Sequence, residues 1–232
     1  MKKIIIGILI IGIGLVGRYF YKNHQKQHIF KIALLRELQS GISSLDFELE
    51  NVIIEAIEAL ENLKEESRDS LEINERFFSS LEIQLDVTYR NYVPVRKGLK
   101  DNSWKSLQQS GFLTRFSSYE LEIINNAYSQ RKTTLDLEKG INDFVDFIPL
   151  YLSDIASEDT KEKHLKLYGF YTNYWLKLIQ YRAQIYQTIW AYEEAIKILD
   201  SENQFIKSRK EQNEIKLKKI DSINKIKSKN VK

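Results

Sequence analysis

The chain has 232 residues, a formal net charge of +3 and no cysteine. This length can bury a substantial core in one domain or two small ones, the lack of cysteine excludes disulfides and thiolate chemistry, and the near-neutral charge argues against general nucleic-acid binding. With two prolines in the whole chain and apolar residues at helical spacing, the sequence predicts an all-α fold.

Residues 1–22 are predicted to form a single transmembrane anchor. No charge lies between Ile4 and Gly17, whereas Lys2 and Lys3 precede this run and Arg18 follows it. A helix over the segment spans roughly 28 Å at ~1.5 Å per residue, which suffices for a bilayer core when the flanking cations reach the headgroups. The alternative is a cleaved signal peptide, but no small-x-small cleavage site follows and Arg18 directly adjoins the apolar run.

The anchor also predicts how the protein sits in a bacterial cell membrane. More cations flank the apolar run on its far side than before it, so the positive-inside bias favours a body that faces the cytoplasm. Gly7, Gly14 and Gly17 fall on one side of the helix, and small residues on one face let membrane helices approach closely. We expect this face to promote self-association; the plainer alternative is that the glycines are tolerated fillers.

Residues 23–34 are predicted to be a juxtamembrane linker, and residues 35–205 an antiparallel helical bundle with coiled-coil-like packing. The bundle opens with apolar residues at alternating steps of three and four, which is the pattern of a heptad seam. This predicted seam consists of Leu35, Leu38, Ile42, Leu45, Leu49, Val52, Ala56, Ala59 and Leu63. A second stripe of Ile53, Ile57 and Leu60 lies beside it, so the helix is expected to pack against more than one neighbour.

Two features limit this prediction for the first bundle helix. Gly41 lies inside the seam and is expected to weaken the helix locally. A second helical pattern runs over 71–92 and is expected to end before Pro94. Whether it continues the helix over 35–66 or turns back stays open, because no glycine or proline marks a turn between them.

The stretch from 102 to 120 is predicted to form a structural corner. Asn102 or Ser103 can cap a short helix, and Gly111 suits the position just after its end. Ser117 and Glu120 have the spacing of a capping box, in which each side chain bonds the other residue's backbone N–H. The corner consists of Trp104, Ser110, Gly111, Ser117 and Glu120.

Two long helices are predicted after the corner. The first begins at the capping box and is expected to end near Pro149 or Ser153. Ser157 and the acids after it indicate the next start. The last helix is predicted from about Asp159 to beyond Leu199, with an apolar face that is interrupted at Arg182. Residues 206–232 form a basic tail, expected to be a solvated or fraying helix end.

The corner motif also carries a resemblance. Together with the anchor, it resembles an uncharacterised, domain-of-unknown-function family of small membrane-anchored helical proteins, mostly from Bacteroidota. The shared pattern consists of Trp104, Leu107, Ser110, Gly111 and Leu113, then Glu120, Leu121 and Ile124, then Ala127 and Tyr128. It covers the anchor and residues 94–128, which is under half of the chain. In that family a longer basic segment usually precedes the membrane helix, and this chain lacks it. The resemblance implies anchoring and a helical body, and nothing catalytic.

No motif for catalysis, a cofactor or a metal stands out. His24 and His28 have the i, i+4 spacing of a metal-binding pair, but no third ligand is near, and a position at the lipid headgroups explains them better. The glutamates at 55, 58, 61 and 65 lack the Glu-x-x-His partners of a di-iron bundle, so a solvated face is expected. Phosphate-loop, nucleotide-binding and hydrolase signatures are absent. We therefore expect a non-enzyme without cofactor or metal.

An aromatic cluster over 168–192 is the remaining candidate site. Aromatic side chains dominate ligand pockets and protein interfaces, but they also fill ordinary bundle cores. The candidate contacts for a ligand or partner are Tyr171, Tyr174, Trp175, Tyr181 and Trp190. The sequence thus predicts a single-pass membrane-anchored scaffold, sensor or accessory subunit that acts through protein–protein contacts or self-association and binds no nucleic acid. The alternatives are a ligand-binding sensor that uses this cluster and an oligomerising membrane effector.

Overall fold

Helices account for all the regular structure in the part of the chain that the structure describes. The computed structural model describes residues 2–54, 56–58, 61, 83, 99–200, 204–212 and 214–215, without the side chains at 2–17, 19–20, 22–23 and 51–52. The helices are α1 (Lys2–Glu48), a π-helix (Leu49–Ile53), α2 (Asn102–Gln109), a 3₁₀ turn (Phe112–Arg115), α3 (Ser118–Ile155) and α4 (Thr160–Leu199). The prediction of an all-α fold of packed helices is confirmed.

The chain divides into two compact units, each assembled from separate stretches of sequence. One contains residues 1–39, 101–123 and 193–232, and the other contains 40–100 and 124–192. In the second unit, Gly41 and Glu48 of α1 meet Tyr192 and Tyr181 of α4 respectively, so these helices are antiparallel. The predicted boundaries at residues 22, 34 and 205 separate the membrane anchor, the linker, the bundle and the tail. They differ in kind from these two units and stay predictions.

The membrane prediction concerns residues that lie largely outside the described side chains. Of residues 1–22, only the side chains of Arg18 and Tyr21 are described, and both are exposed. The glycine face of Gly7, Gly14 and Gly17 is therefore not described either. Across the residues that could be assessed, no helix combines the length and the apolar character needed to cross a bilayer. The predicted second helix over 71–92 also lies outside the described residues, apart from Ile83.

The start of α2 differs from the sequence prediction. Its capping residue is Asp101, and neither Asn102 nor Ser103 takes that role. The Asp101 carbonyl accepts the first helical hydrogen bond, from the Lys105 N–H at 3.0 Å. The Ser103 N–H instead donates to Oε2 of Glu37 on α1, at 3.0 Å. A long-range carboxylate thus satisfies the free N–H that a local cap would otherwise satisfy, which sequence proximity cannot indicate.

The end of α2 has the geometry expected of a glycine stop. Gly111 has φ 70° and ψ 4°, in the left-handed region. Ser110 supports the turn, because its hydroxyl donates to the Leu107 carbonyl at 2.7 Å and accepts from the Phe112 N–H at 3.2 Å. Trp104 is buried on the same short helix. The reversal therefore depends on a backbone conformation that L-residues with a Cβ rarely adopt.

Substitution of Gly111 by alanine is expected to destabilise the protein by about 1 kcal/mol, through backbone strain alone. A Cβ at this position would meet nothing within 4 Å, so a steric clash plays no part. Gly140→Ala is the matched control: it lies inside α3 with the same open surroundings, and there alanine is favoured over glycine by up to about 1 kcal/mol. In thermal unfolding of the full chain, the melting temperature should fall for Gly111→Ala and rise for Gly140→Ala. A gain in melting temperature for both variants would contradict the strain argument.

A reciprocal capping box begins α3. The Ser117 N–H donates to Oε2 of Glu120 at 2.8 Å, and the Glu120 N–H donates to Oγ of Ser117 at 3.2 Å. Lys31 of α1 lies 3.0 Å from the other Glu120 oxygen. Partial burial raises the pKa of Glu120, but the bonds from Ser117 and Lys31 outweigh it and lower the pKa below its usual value. The box therefore ties the start of α3 to α1 as well as capping it.

Of the two predicted ends of α3, Pro149 is wrong and Ser153 lies two residues before the observed end. Pro149 lies inside the helix, which continues to Ile155. Proline removes one i→i−4 hydrogen bond, at a cost of about 3 kcal/mol. Pro149 is exposed, whereas Ile148 and Ile155 are buried. The buried inner face, with Ile148 before the proline and Ile155 after it, keeps the helix packed beyond Pro149.

The last helix begins at Thr160, one residue after the start predicted at about Asp159. Oδ1 of Asp159 accepts the N–H groups of Lys161 and Glu162 at 3.0 and 3.2 Å, so Asp159 is the cap. The core face of α4 has no break at Arg182, because Tyr181 and Thr188 occupy the buried positions. Its seam repeats at steps of four and three and consists of Leu167, Tyr171, Tyr174, Leu178, Tyr181, Ile185, Thr188, Tyr192 and Ala195.

The buried face of α1 follows the predicted seam only as far as the π-helix. Leu38, Ile42, Leu45 and Leu49 are buried as predicted, with Leu34 in place of Leu35. Beyond the π-helix, Ile53 and Ile57 are buried and Ala56 is only half-buried. A π-helix turn accommodates about one extra residue, and the buried face continues through Ile53 and Ile57, two members of the predicted second stripe. Ala59, Leu60 and Leu63 lie outside the described residues.

Gly41 is a packing site and not a weak point in the seam. An ideal Cβ on Gly41 would lie 2.4 Å from Cε2 of Tyr192 on α4, far inside van der Waals contact. The tyrosine ring thus occupies the space that any other residue would fill. The glycine lets α4 approach α1 closely at this level.

The start of the basic tail is helical over residues 204–212. Ile206 is buried, and Arg209 forms an ion pair with Glu193. These contacts belong to a packed segment rather than to a freely solvated end. The tail from residue 216 onward lies outside the described residues.

Candidate functional site

The five aromatic candidates of α4 do not form one site. Tyr171, Tyr174 and Tyr181 are buried, Trp175 is half-buried and Trp190 is 62% exposed. Tyr181 and Trp190 are nine positions apart, which places them about 180° apart around a helix of 3.6 residues per turn. The buried tyrosines belong to the bundle core, and Trp190 belongs to the outer face.

A continuous stack of aromatic rings packs α3 against α4. The rings follow the order Tyr151, Phe170, Phe144 and Tyr174, with successive centroids 4.2, 4.3 and 5.4 Å apart. Burial raises the pKa of Tyr174, and its hydroxyl has no hydrogen-bond partner among the described residues. Burial also raises the pKa of Tyr171, to about 12. Both phenols therefore stay protonated at neutral pH.

Next to this stack, the core contains polar and acidic side chains from α1, α3 and α4. We call this set the polar core. It consists of Glu48, Thr134, Glu138, Asn142, Tyr181, Gln184 and Thr188, all of which are at least nine-tenths buried. Buried carboxylates are rare unless they are paired, so this set is the most unusual feature of the described residues.

The threonine and glutamine members of the polar core bond one another. The hydroxyls of Thr134 and Thr188 lie 2.7 Å apart, one on α3 and one on α4. Nε2 of Gln184 donates to Oε1 of Gln130 at 2.8 Å and to Oγ1 of Thr188 at 3.3 Å. These bonds fix the register of the antiparallel pair, because a shift along either helix would leave buried polar atoms unpaired.

Glu48 is the acidic centre of the polar core. It is 3% exposed at the end of α1, and the Tyr181 hydroxyl donates to its Oε1 at 2.6 Å. Burial raises the pKa of the Glu48 carboxyl from 4.5 to about 7; the Tyr181 bond opposes this shift and the charge of Glu138 adds to it. Glu48 is therefore partly protonated at neutral pH.

Glu138 and Asn142 extend the acidic region along α3. Glu138 is 2% exposed, and Asn142 follows one turn later on the same face. Neither the oxygen nor the nitrogen of the Asn142 amide has a hydrogen-bond partner among the described residues. Two buried carboxylates can share a proton, whereas the neutral amide can only donate or accept hydrogen bonds. The described residues contain no group of three or more His, Cys, Asp or Glu suited to a metal ion.

The sequence-based candidates for metal binding lie elsewhere. His24 and His28 are both exposed on α1. Of the four glutamates at 55, 58, 61 and 65, Glu58 and Glu61 are exposed and the other two lie outside the described residues. The acidic residues that the fold buries, Glu48 and Glu138, were not among the predicted candidates. Extending the apolar spacing of α3 from Ile141 and Val145 back to Glu138 would have placed that glutamate on the core face.

The outer face of α4 carries a mostly apolar stripe, of whose eight residues six are exposed and two, Thr172 and Ile179, are half-buried. We call this the α4 stripe. It consists of Leu165, Tyr168, Thr172, Leu176, Ile179, Ala183, Tyr186 and Trp190, which follow one another at steps of three and four. Tyr186 and Trp190 are 53% and 62% exposed. Isolated exposed apolar residues are ordinary on a protein surface, whereas large contiguous apolar patches are less common.

The chain matches no protein-family model, no curated protein and no solved structure. The resemblance of the corner motif to membrane-anchored helical proteins therefore depends on those residues alone.

Proposed function

We propose that the chain is a single-pass membrane-anchored helical scaffold, sensor or accessory subunit that acts through protein–protein contacts. In this proposal the chain lies in a bacterial cell membrane, with its body on the cytoplasmic side. The proposal needs no catalytic residue, cofactor, metal or nucleic acid. The observation that carries it is the α4 stripe, since a helical surface of this kind binds the apolar face of another helix.

The anchor part of the proposal is supported by the sequence of residues 1–22 and by the continuity of α1. The uncharged run between Ile4 and Gly17 lies at the start of the same helix that supplies Leu34, Leu38 and Ile42 to the core. A membrane anchor at this position would be joined to the body without an intervening loop. The glycines at 7, 14 and 17 would favour pairing of two anchors.

The stripe supports a helical partner of matching chemistry. Its residues follow one another at the steps of three and four that are typical of a heptad seam. Its exposed end carries a tyrosine and a tryptophan, and these residue types are enriched at interface centres. Polar residues Asn173, Gln180 and Gln187 border it on the same helix and are exposed. An amphipathic helix would bury the stripe and leave this polar border in water.

A photo-crosslinking amino acid in place of Tyr186, in the full chain in native membranes, is expected to give a specific protein adduct. The matched control is the same crosslinker at Gln180, which is exposed on α4 about 120° away around the helix. Trp190→Gln should reduce the adduct at Tyr186 several-fold. An adduct that contains two copies of the chain supports self-association, and one that contains another protein supports the accessory-subunit form. Equal adducts from both positions, or none from Tyr186, would contradict the proposal.

A further inference from the structure

The turn that joins α2 to α3, over residues 110–117, approaches the N-terminal apolar run. Contacts with α1 trace the path of the chain into this turn. At the start of α2, the Ser103 N–H donates to Oε2 of Glu37 at 3.0 Å. Just after α2 ends, the ring of Phe112 lies 5.7 Å from the ring of Phe30. The short helix α2 therefore runs antiparallel to α1, toward the N-terminal end of α1.

The chain turns back beside Gln27. Nε2 of Gln27 donates to the Arg115 carbonyl at 3.1 Å, and Glu120, in the first turn of α3, then pairs with Lys31 at 3.0 Å. The contact positions on α1 thus fall from 37 to 30 to 27 and return to 31. The α2–α3 turn is the end of this helix pair that points toward the predicted anchor.

The level of the turn matches that of lipid headgroups. Residues 2–48 form one helix, so Gln27 lies about 7–8 Å beyond the end of the predicted anchor at Lys22. The headgroup layer takes up roughly 5–8 Å on each side of the hydrocarbon core. A turn that contacts α1 at Gln27 therefore reaches this layer when the anchor spans the bilayer.

This end of the protein has no acidic residue in the sequence. No aspartate or glutamate precedes Glu37, and none lies between Asp101 and Glu120. The carboxylate of Glu120, which borders the second stretch, is already paired with Lys31. Cations at the turn and on the adjoining part of α1 are therefore left without a neighbouring acid from these two stretches.

Three cations at this end are exposed. Arg18, Lys26 and Arg115 form no ion pair within the described part of the chain. The Lys26 ammonium lies 5.8 Å from the centroid of the Phe112 ring, which places it at the turn. Together with Lys22 in the sequence, these residues make four cations beside the anchor, and clusters of about four to eight are typical of binding to anionic lipids.

Exposed tyrosines occur at the same end. Tyr21 of α1 is 65% exposed, and Tyr119, at the start of α3, is 67% exposed. Tyrosine is enriched where a membrane meets water, because its ring is apolar and its hydroxyl is polar. The tyrosines favour a lipid surface over an acidic protein as the partner of the cations.

We propose that the α2–α3 turn rests on the headgroup layer of the membrane, where Arg18, Lys26 and Arg115 bind anionic lipid headgroups. This inference rests on the anchor of the proposed function, which sets the level of the turn. It agrees with a body on the cytoplasmic side, since the cytoplasmic leaflet carries the anionic lipids. A body that contacts the bilayer at this turn has less freedom to rotate about the anchor than one held by a single helix.

The test is a measurement of depth in the full chain, reconstituted in lipid nanodiscs that contain phosphatidylserine. The chain has no cysteine, so single cysteines can carry a spin label. Thr114→Cys places the label on the exposed tip of the turn, and Asn102→Cys is the control, exposed at the other end of α2 and roughly 15 Å farther from the anchor. Collisions with a water-soluble nickel chelate should be several-fold fewer at Thr114→Cys than at Asn102→Cys.

Charge variants test the recognition of anionic lipid. Replacing Lys26 and Arg115 together with glutamine should remove most of the protection of the Thr114→Cys label, as should discs of phosphatidylcholine alone. Lys105→Gln is the matched control, because Lys105 is exposed on α2 but pairs with Asp101 at 3.1 Å, and it should leave the protection unchanged. Equal protection in both kinds of disc, or protection that survives the double substitution, would overturn the role of these cations.

A label in the anchor, at Ile10→Cys, separates this inference from the proposed function. If the Ile10→Cys label is shielded from nickel but the Thr114→Cys label is as accessible as the Asn102→Cys label, the anchor stands and the contact of the turn with lipid is wrong. If the Ile10→Cys label is itself accessible, the anchor is wrong and this inference fails with it. Circular dichroism of each variant checks that the helical fold is retained.

Discussion

The wild-type chain is expected to lose stability as the pH rises from about 4.5 to about 7, in the interval where the pKa of Glu48 differs between the unfolded and folded states. Over this interval the folded protein keeps the Glu48 proton and the unfolded chain has released it, so the free energy of unfolding falls as pH rises. At about 1.4 kcal/mol per pKa unit, the loss is about 3 kcal/mol and is complete above pH 7.

Glu48→Gln is expected to remove this loss. Glutamine keeps an oxygen that can accept the Tyr181 hydrogen bond, and it carries no charge at any pH. The variant should match wild type near pH 4.5 and exceed it by up to about 3 kcal/mol above pH 7. Carboxylates with lowered pKa values, such as Glu120, give the opposite slope at low pH in both proteins. The measurement is therefore the difference between the two curves from chemical or thermal unfolding.

The exposed control for this experiment is Glu58→Gln, whose curve should follow wild type throughout. A Glu48→Gln curve that also follows wild type would show that the pKa of Glu48 is the same in the folded and the unfolded protein. A variant that is less stable than wild type at pH 8 would show that the carboxylate itself stabilises the core.

Gly41→Ala is expected to destabilise the protein by about 1–3 kcal/mol, because the added Cβ overpacks the contact with Tyr192. The Cβ would lie 2.4 Å from Cε2 and 3.2 Å from Cδ2 of that ring, and both α1 and α4 are fully packed there. Gly41→Leu should cost more, because its larger side chain must displace the ring further. Melting temperature is the measurement. Gly169→Ala on α4, where a Cβ meets nothing within 4 Å, should be neutral or stabilising.

A double-mutant cycle distinguishes this clash with Tyr192 from an effect of the substitution on the stability of α1 itself. Tyr192→Leu alone should destabilise the core by removing a buried ring, but it should relieve part of the cost of Gly41→Ala. The two changes are then non-additive, with the double variant more stable than the sum predicts. Additive effects, or a stabilising Gly41→Ala, would show that the ring moves aside freely.

Local sequence signals predicted the parts of the fold that depend on local geometry. Ser117 and Glu120 lie three residues apart and form the capping box, and Gly111 supplies the left-handed residue that ends α2. These features need only neighbouring residues, so their chemistry can be inferred from a short window. The heptad spacing of Leu38 to Leu49 likewise predicted the buried face of α1.

The rest depended on contacts between residues distant in sequence. The sequence predicted a break in the face of α4 at Arg182, yet Glu48 and Thr134 provide the partners that make Tyr181 and Thr188 core residues. Glu48 itself has the sequence environment of an ordinary exposed glutamate, and only the facing helix shows that it is buried. The aromatic run suggested a single cluster, but helical geometry directs Tyr181 inward and Trp190 outward.

The π-helix Leu49–Ile53 has a consequence for how this chain can vary. A turn that holds one extra residue resembles a single-residue insertion that was absorbed without shifting the helix on either side. Removing one residue within 49–53 would restore a regular α-helix and keep Leu45 and Ile57 facing the core, whereas the same deletion elsewhere in α1 would rotate one of them by about 100°. Homologous chains that differ by one residue in this helix are therefore expected to differ at this turn, with their packing otherwise preserved.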